Sequence, residues 1–192
     1  VDASVFRSEY KDMLEFAFGQ YGDLFNDPLF GLGFKSVNIG NTRIDGMEYE
    51  LGLQIAVLKN LNINIGGGYT YIDPQMSDFD SLKASTGTVS YNFLKYRYRN
   101  MCKGYAGVDY GRFSFALNCR YNSFMENIDK VFNELIPGIK QYRSEHDKGD
   151  WVYDANISYK ITDYLTASVI SRNLFNHEYM GIPSQVEAPR MW

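Results

Sequence analysis

The sequence predicts an all-β fold, an antiparallel transmembrane β-barrel. Two neighbouring segments each alternate apolar and polar residues over about ten positions, and their apolar rows include tyrosines. Because side chains on a strand point alternately to opposite faces, each segment has one apolar face and one polar face. Short connections also alternate with long ones along the chain. Strands of about ten residues with an aromatic edge are typical of a barrel hairpin in a membrane.

The central hairpin, residues 41–71, shows the pattern most clearly. Its first apolar row consists of Met47, Tyr49, Leu51, Leu53 and Ile55. Its second apolar row consists of Leu61, Ile63, Ile65, Gly67, Tyr69 and Tyr71. The intervening polar side chains, which would line a wet lumen, include Glu48, Glu50, Gln54, Asn62 and Asn64. A soluble sandwich would show the same alternation with its apolar face turned to a core. The lengths of the connections must therefore show whether lipid or a protein core covers the apolar face.

The composition suits one β-domain and excludes other classes. The 192 residues include 16 Tyr and 13 Phe, and the formal net charge is −4. No run approaches the roughly 18 apolar residues of a membrane helix. The acidic balance and the lack of a basic stripe argue against nucleic acid as a partner. Val1 opens directly into a strand-like pattern, so we expect a mature chain or a fragment.

Two long connections flank the central hairpin. Residues 1–16 alternate imperfectly and predict one strand, and a loop over residues 17–34 follows. A second loop covers residues 72–97. Its clustered aspartates lack the D-x-D-x-D-G spacing of a calcium loop, so we interpret it as a solvated acidic loop.

Residues 98–122 predict another hairpin. Gly111-Arg112 has the length and the glycine of a two-residue turn. Cys102 and Cys119 fall on the same apolar face of this hairpin. Two cysteines are too few for a disulfide framework and have no metal-ligand spacing. We interpret them as small outward side chains, with a disulfide as the alternative.

The connection over residues 123–150 is the longest and most charged. Apolar residues between 128 and 135 have helical spacing and Pro137-Gly138 follows, which predicts a short helix or an ordered loop. His146 has no second histidine nearby, so we expect no metal site. The last hairpin starts at Trp151 and turns at residues 161–164.

The lengths of the connections favour a membrane barrel. Short turns occupy residues 56–60, 111–112 and 161–164. Long loops occupy residues 17–34, 72–97, 123–150 and 173–186. Strict alternation puts all the long loops at one end, as in outer-membrane barrels with short periplasmic turns and long extracellular loops.

Three segments carry a resemblance to a known family. N-T-R-I-D-G-M-E-Y-E-L resembles the N-x-x-R-x-x-G-x-E strand of TonB-dependent outer-membrane receptors. S-R-N-L-F-N-H-E-Y, followed by A-P-R, resembles their penultimate loop and the start of their last strand, and V-F-R-S-E-Y-K-D-M-L-E resembles a strand upstream. The resemblance implies a 22-stranded barrel around a plug domain. About eight strands, the last one incomplete, would make residues 1–192 its C-terminal portion, without the plug and the N-terminal strands.

The resemblance also implies a function and partners. Such a receptor binds a scarce nutrient (siderophore-iron, cobalamin, oligosaccharide or peptide) and imports it across the Gram-negative outer membrane with TonB-coupled energy. Partners would be TonB, the plug domain, outer-membrane lipid and, as a further candidate, a surface lipoprotein. Gly46 would lie at a position where any side chain of its own would crowd the strand, and Asn173 would cap a loop turn.

Candidate site residues follow from the loops, the polar faces and, for Arg43 and Glu48, the segment that resembles the family's strand. Loop candidates for ligand binding are Tyr21, Phe79, Asp80, Met125, Tyr142, Arg143, His177 and Tyr179. Candidates that face the lumen or the plug are Arg43, Glu48, Glu50 and Arg120. We expect no catalytic residue, cofactor or metal.

Two other functions remain to be weighed. Eight strands can close on their own, so a small structural or adhesion barrel is the alternative. An enzyme would need a nucleophile, a base and an orienting acid together. Ser171 with His177, or Ser144 with His146, lack a G-x-S-x-G context, so we expect no enzyme.

Overall fold

The computed structural model describes residues 1–20, 32–77 and 92–192. In chain order these residues form β1 (Asp2–Tyr10), β2 (Leu14–Gln20), β3 (Leu32–Asn38), β4 (Thr42–Leu58), β5 (Leu61–Met76), β6 (Asn100–Tyr110), β7 (Phe113–Asn122), α1 (Lys130–Leu135), α2 (Ile139–Glu145), β8 (Asp150–Lys160), β9 (Thr166–Ser171), β10 (Met180–Ile182) and β11 (Gln185–Val186). No helix within the described ranges is long and apolar enough to cross a membrane.

Seven strands form one antiparallel sheet in the order β1-β4-β5-β6-β7-β8-β9. The β2–β3 hairpin is inserted between the first two of them and forms its own sheet, as does β10–β11. The sheet is open, with β1 and β9 at its edges. Met191 forms an isolated antiparallel bridge to Arg172, which follows directly after β9.

The strand registers convert the alternation along the sequence into two continuous faces. One row across the sheet is apolar and runs through Leu53, Ile65, Ala106, Leu117 and Ala155. A row on the opposite face runs through Glu50, Gly68, Lys103, Arg120 and Val152. The predicted apolar and polar faces of the central hairpin are confirmed as outward and inward faces of a barrel wall.

Aromatic residues border the outward apolar face at both ends. Phe113 and Tyr159 pack at 4.5 Å near the short turns, and Tyr121 and Trp151 pack at 4.9 Å near the long loops. Phe113 and Tyr121 are eight positions apart, or about 27 Å along a strand at roughly 3.4 Å per residue. A tilt of about 45° reduces that span to about 20 Å, close to the roughly 25 Å apolar band of an outer-membrane barrel.

The predicted turns and helix are confirmed. Gly111 begins the β6–β7 turn at φ +59°, a conformation that glycine adopts without steric cost. The 123–150 connection contains two short helices, α1 and α2, and Gly138 between them has φ +87°. Both cysteines are free, as interpreted from the sequence.

The first strand and three loops differ from the prediction, one of them the loop over residues 173–186, which contains the short strands β10 and β11. Residues 1–16 do not form one strand, because the chain turns at Asp12, whose φ is +52°, before β2 begins. The loop predicted over residues 17–34 is partly strand, since β2 and β3 pair up to Gln20 and Leu32. Strand β5 also continues to Met76, beyond the apolar band. Backbone pairing, unlike apolar alternation, does not stop where the membrane ends.

A second core lies at the loop end of the sheet. We call it the cap, and it consists of the β2–β3 hairpin with residues 92–99 and 123–135. Phe93, Leu94 and Ile128 are almost completely buried there. Phe132 packs against Phe34 at 6.2 Å between ring centroids. The cap therefore joins three parts of the chain that are distant in sequence.

A buried ion pair lies at the centre of the cap. Lys95 Nζ lies 2.9 Å from Asp129 Oδ1 and also donates to the carbonyl of Phe16 at 3.0 Å. Asp129 accepts further hydrogen bonds from the backbone N–H of Phe18 at 3.4 Å and from the hydroxyl of Tyr96. Lys95 is 2% exposed and Asp129 is fully buried. The pair thus fastens strand β2 to the two loop segments.

Glu15 is a further carboxylate of the cap, 3.8 Å from Lys95 Nζ. Burial raises the pKa of Glu15, and the charge of Lys95 opposes that change. Because the pKa in the folded state lies above the ordinary value, folding favours the protonated form. The contribution of Glu15 to docking of β2 therefore decreases as the pH rises through that pKa.

We expect Ile65→Arg to destabilise the barrel by about 2–4 kcal/mol, because the charge would face lipid near the middle of the apolar band. Asn64→Arg is the matched control, since its side chain faces inward. Refolding of the complete protein into lipid vesicles, followed by urea titration, measures the difference. Equal losses for both variants would contradict the assignment of the faces.

We expect Lys95→Met to weaken the cap by about 3–5 kcal/mol, because it leaves the Asp129 carboxylate buried without its partner. Hydrogen exchange of the amides in residues 14–20 and 92–99 measures the free energy of opening. Lys140→Met, which changes an exposed lysine on α2, should alter it by no more than about 0.5 kcal/mol. Unchanged protection in Lys95→Met would refute the role of the pair.

Candidate functional site

A cleft opens at the loop end between α2 and the β10–β11 hairpin. Its walls combine tyrosine, histidine and carboxylate groups with apolar side chains. The lining residues are Tyr98, Ser123, Phe124, Met125, Ile139, Tyr142, Arg143, His146, Asp150, Met180 and Pro183. We call it the loop cleft.

Helix α2 supplies one wall of the loop cleft. It starts after Gly138, and the buried side chain of Ile139 anchors it. Tyr142 and His146 are four positions apart and therefore lie on one side of the helix. Their rings stack at 3.9 Å with an interplanar angle of 11°. The helix thus presents a flat aromatic pair to the cleft.

The tyrosines of the loop cleft keep their protons well above neutral pH. Burial, with Asp150 and Glu178 nearby, raises the pKa of Tyr142 to about 12. Burial also raises the pKa of Tyr98, whose hydroxyl donates to the carbonyl of Gly181 at 2.9 Å. The Tyr142 hydroxyl donates to the carbonyl of Glu178 at 3.4 Å. Both hydroxyls are therefore hydrogen-bond donors, Tyr98 to the β10–β11 hairpin and Tyr142 to the segment that leads into it.

Arg143 belongs to the same wall of the loop cleft as the stacked rings of Tyr142 and His146. Its Nη2 donates to the carbonyl of Met125 at 2.7 Å, and its guanidinium lies 4.4 Å from the centre of the Phe124 ring. Burial lowers the pKa of Arg143. Arg143 and Met125 therefore hold α2 against the end of β7.

The β10–β11 hairpin forms the opposite wall, and the segment that leads into it, residues 177–179, is fastened to the inward face of the sheet. His177 Nε2 lies 2.7 Å from Asp150 Oδ1, at the start of β8. Arg120 donates to the Tyr179 hydroxyl, and its guanidinium lies 5.5 Å from the centre of that ring. Asn173 closes the base of the loop, because its amide accepts from His177 N–H at 2.9 Å and donates to the His177 carbonyl at 2.8 Å. The predicted capping of the loop turn by the Asn173 side chain is confirmed.

Five of the eight loop candidates come together around this cleft. Met125, Tyr142 and Arg143 line it, and His177 and Tyr179 lie in the segment that leads into the β10–β11 hairpin. Ligand binding by these residues stays a prediction. The other three candidates lie outside the described residues: Tyr21, Phe79 and Asp80.

Three of the four lumen candidates share the inward face, and Arg43 does not. Glu48, Glu50 and Arg120 occupy inward rows of the sheet. The register of β4 is unbroken from Arg43 to Glu48, and these residues are five positions apart, so they point to opposite faces. Arg43 Nε instead lies 3.1 Å from Asp45 Oδ2 on the outward side. A sequence motif suggested that Arg43 faces the lumen. The alternation of side chains along β4 corrects this prediction and places Arg43 on the outward face.

Sequence reasoning missed Tyr98, His146 and Asp150 as members of the site. The sequence presents His146 as a metal ligand or a partner of Ser144, and its position four residues after Tyr142 becomes meaningful only once α2 is recognised. Asp150 occupies an inward position of β8, opposite Asn122. Extending the side-chain alternation of the last hairpin back by one residue from Trp151 would have placed Asp150 on the inward face.

Comparisons with known proteins agree with this architecture. A family model described as TonB dependent receptor-like, beta-barrel, matches residues 1–174. A search of curated proteins gives no match. A similar solved structure is the closed form of Fiu, the ferric-catecholate import receptor of E. coli K12, with a TM-score of 0.59 and 18% sequence identity. The similarity covers 98% of this chain and 23% of the Fiu chain, so this chain spans about a quarter of that protein. The chain belongs to the TonB-dependent receptors and forms part of their β-barrel.

Proposed function

We propose that residues 1–192 form the C-terminal portion of a plugged receptor in the Gram-negative outer membrane. The receptor binds a scarce nutrient at its loop end and imports it with energy delivered by TonB. A plug domain and further strands belong to the same polypeptide in this proposal. Membership of the family supports it, as does the small share of the Fiu chain that this chain covers.

The observation that carries the proposal is the position of the loop cleft on the two-faced sheet. The described long connections all leave the sheet at the end opposite the short turns. The cleft opens at that end, and Asp150 and Arg120 connect it to the inward face below. A ligand held there would lie above a polar passage, which is the arrangement that an importer requires.

The open sheet favours a large barrel over a self-contained one with eight strands. Among the described strands, β1 and β9 each pair on one side only. In lipid, an unpaired strand edge costs several kcal/mol for each unsatisfied backbone group. Further strands of the same receptor would pair with these edges. A structural or adhesion role for a small closed barrel has no comparable support.

The chemistry of the loop cleft leaves four ligand classes to test. Aromatic rings, hydroxyl donors and a carboxylate suit parts of a siderophore, cobalamin, an oligosaccharide or a peptide. Fiu is a ferric-catecholate import receptor, so iron-siderophore complexes are the first class to screen. The family of transport receptors also gives no reason to seek a catalytic residue.

We expect uptake of one of these substrates to stop when the receptor gene is deleted, and also when the tonB gene is deleted. Radiolabelled ferric siderophores, cyanocobalamin, oligosaccharides and peptides are the probes. Growth is also measured with the same compound as the sole source of the nutrient that it supplies. Tyr142→Ala should weaken binding of that substrate by about tenfold or more, because the residue lies in the loop cleft.

Tyr164→Ala is the matched control for that variant. Tyr164 is 99% exposed in the turn at the opposite end of the sheet, so its loss should leave binding unchanged. Uptake that persists without TonB, or no effect of receptor deletion on any of the four classes, would overturn the proposed function.

A further inference from the structure

Two arginines at the loop end of the sheet are seated in the same way on an aromatic ring. The guanidinium of Arg99 lies 4.5 Å from the centre of the Phe93 ring, and the guanidinium of Arg143 lies 4.4 Å from the centre of the Phe124 ring. Both arginine side chains are partly buried. The two sites differ in the anions that surround the guanidinium.

Carboxylates neutralise Arg99 from two sides. Its Nη1 lies 2.6 Å from Asp73 Oδ1, and its Nε lies 2.7 Å from Glu126 Oε1. The hydrogen bonds with Glu126 and Asp73 raise the pKa of Arg99, although burial acts in the opposite direction. Arg99 therefore shows what a complete site for a ring-stacked arginine contains in this protein.

Arg143 has no such counter-ion. Among the residues that the structure describes, no carboxylate forms an ion pair with it, and the carbonyl of Met125 is the one hydrogen-bond acceptor that it reaches. Burial lowers its pKa and no nearby charge opposes that change. A guanidinium has five N–H donors. Most of them therefore remain available, on a side chain that lines the loop cleft.

The carboxylate of the loop cleft already has a partner inside the protein. Asp150 also lines the cleft, but its Oδ1 lies 2.7 Å from Nε2 of His177. The second histidine, His146, directs its Nδ1 to the carbonyl of Tyr142 at 2.9 Å. Within the described part of the cleft, the guanidinium of Arg143 is thus the charge that lacks an opposite charge.

A partly buried charge without a counter-ion is costly, because an opposite charge does not replace the water that burial removes. Stacking on Phe124 offsets part of this cost. The anchoring of α2 needs one N–H donor toward Met125 and does not require a positive charge. A guanidinium binds two adjacent anionic oxygen atoms in a fork. A ligand that brings such a pair would supply Arg143 with what the carboxylates supply to Arg99.

We propose that Arg143 is the anion-binding residue of the loop cleft, and that the imported substrate offers it a pair of adjacent anionic oxygen atoms. The proposal rests on the proposed function, which makes the cleft the ligand site of a receptor. A carboxylate and a metal-bound catecholate both present such oxygen atoms. Phe124, Met125 and Met180 would contact the uncharged part of the same ligand. Uncharged oligosaccharides lack the group that this site requires.

The test measures binding to the complete receptor, purified in detergent with isotope-labelled methionine methyl groups. Met125 and Met180 line the loop cleft, so their NMR chemical shifts report its occupancy. One probe pair is phenylacetate and phenylacetamide, which have nearly the same shape and differ in charge. The other pair is the gallium(III) complex of a tripodal tris-catecholate, which is anionic, and that of a tripodal tris-hydroxamate, which is neutral. Gallium(III) replaces iron(III) because it is diamagnetic.

We expect the wild-type receptor to bind the anionic member of at least one pair about tenfold more tightly, which corresponds to about 1.4 kcal/mol. Arg143→Gln keeps an N–H donor for the Met125 carbonyl and loses the charge, so the preference should fall below about twofold. Lys140→Met removes an equal charge from an exposed position on the same helix and should keep the preference. Arg143→Lys should retain a preference of about threefold, because the charge remains and the fork is lost.

The ratio of the two affinities separates ligand recognition from support of α2. A residue that only held the helix would weaken both members of a pair equally in Arg143→Gln, and that result would overturn the inference. Equal affinities in the wild type would overturn it, as would the absence of a Met125 or Met180 shift with every probe. If Arg143→Gln does not reach the outer membrane, an undiminished preference in Arg143→Lys would overturn the inference instead.

The pair that shows the preference identifies the source of the anionic oxygen atoms, a carboxylate or a catecholate, and either result supports the inference. Failure of the proposed function is detected by a separate measurement. Uptake that persists without TonB would overturn that function and would leave the charge preference of the cleft unchanged.

Discussion

A barrel wall in lipid must satisfy every backbone N–H and C=O within the protein, and the main sheet depends on this constraint. It explains why seven strands pair edge to edge with unbroken ladders over most of their length. Within the described residues, it also explains why the helices and long connections lie beyond the aromatic border at the loop end. The two edges, β1 and β9, are where the same constraint calls for neighbouring strands of a larger barrel.

Outside the membrane band, ordinary protein packing takes over from lipid. The cap buries Phe93, Leu94 and Ile128 and encloses the Lys95–Asp129 pair. A buried pair of this kind contributes little net stability but strongly penalises loss of one partner, so it specifies a single arrangement of the loops. The loop cleft uses the same strategy, with Arg143 and His177 fixing its two walls through polar contacts. A receptor gains from such fixed walls because a preformed site costs less ordering when it binds.

The transmembrane hairpins could be predicted from the sequence because lipid imposes a strict period of two on one face. That period is visible from Met47 to Ile55 without knowledge of any partner. The β2–β3 hairpin could not be predicted in this way, since its phenylalanines lie in a glycine-rich stretch, where Phe18 packs on Phe34 and Phe34 on the distant Phe132. The loop cleft needed tertiary information of the same kind. It forms only when residues 123–150 and 173–186 meet through contacts such as His177 with Asp150. The prediction for Arg43 was wrong for another reason, because a motif was given more weight than the alternation of side chains along the strand.

The size and heat-modifiability of the native polypeptide test most directly whether this sheet is part of a larger plugged barrel. The protein would be extracted from outer membranes and run with and without heating on a denaturing gel, with detection by an antibody to residues 1–192. We expect a heat-modifiable band from a chain several times longer than 192 residues. A heat-modifiable band at the size of the 192-residue chain alone would contradict the larger barrel and leave the small closed one.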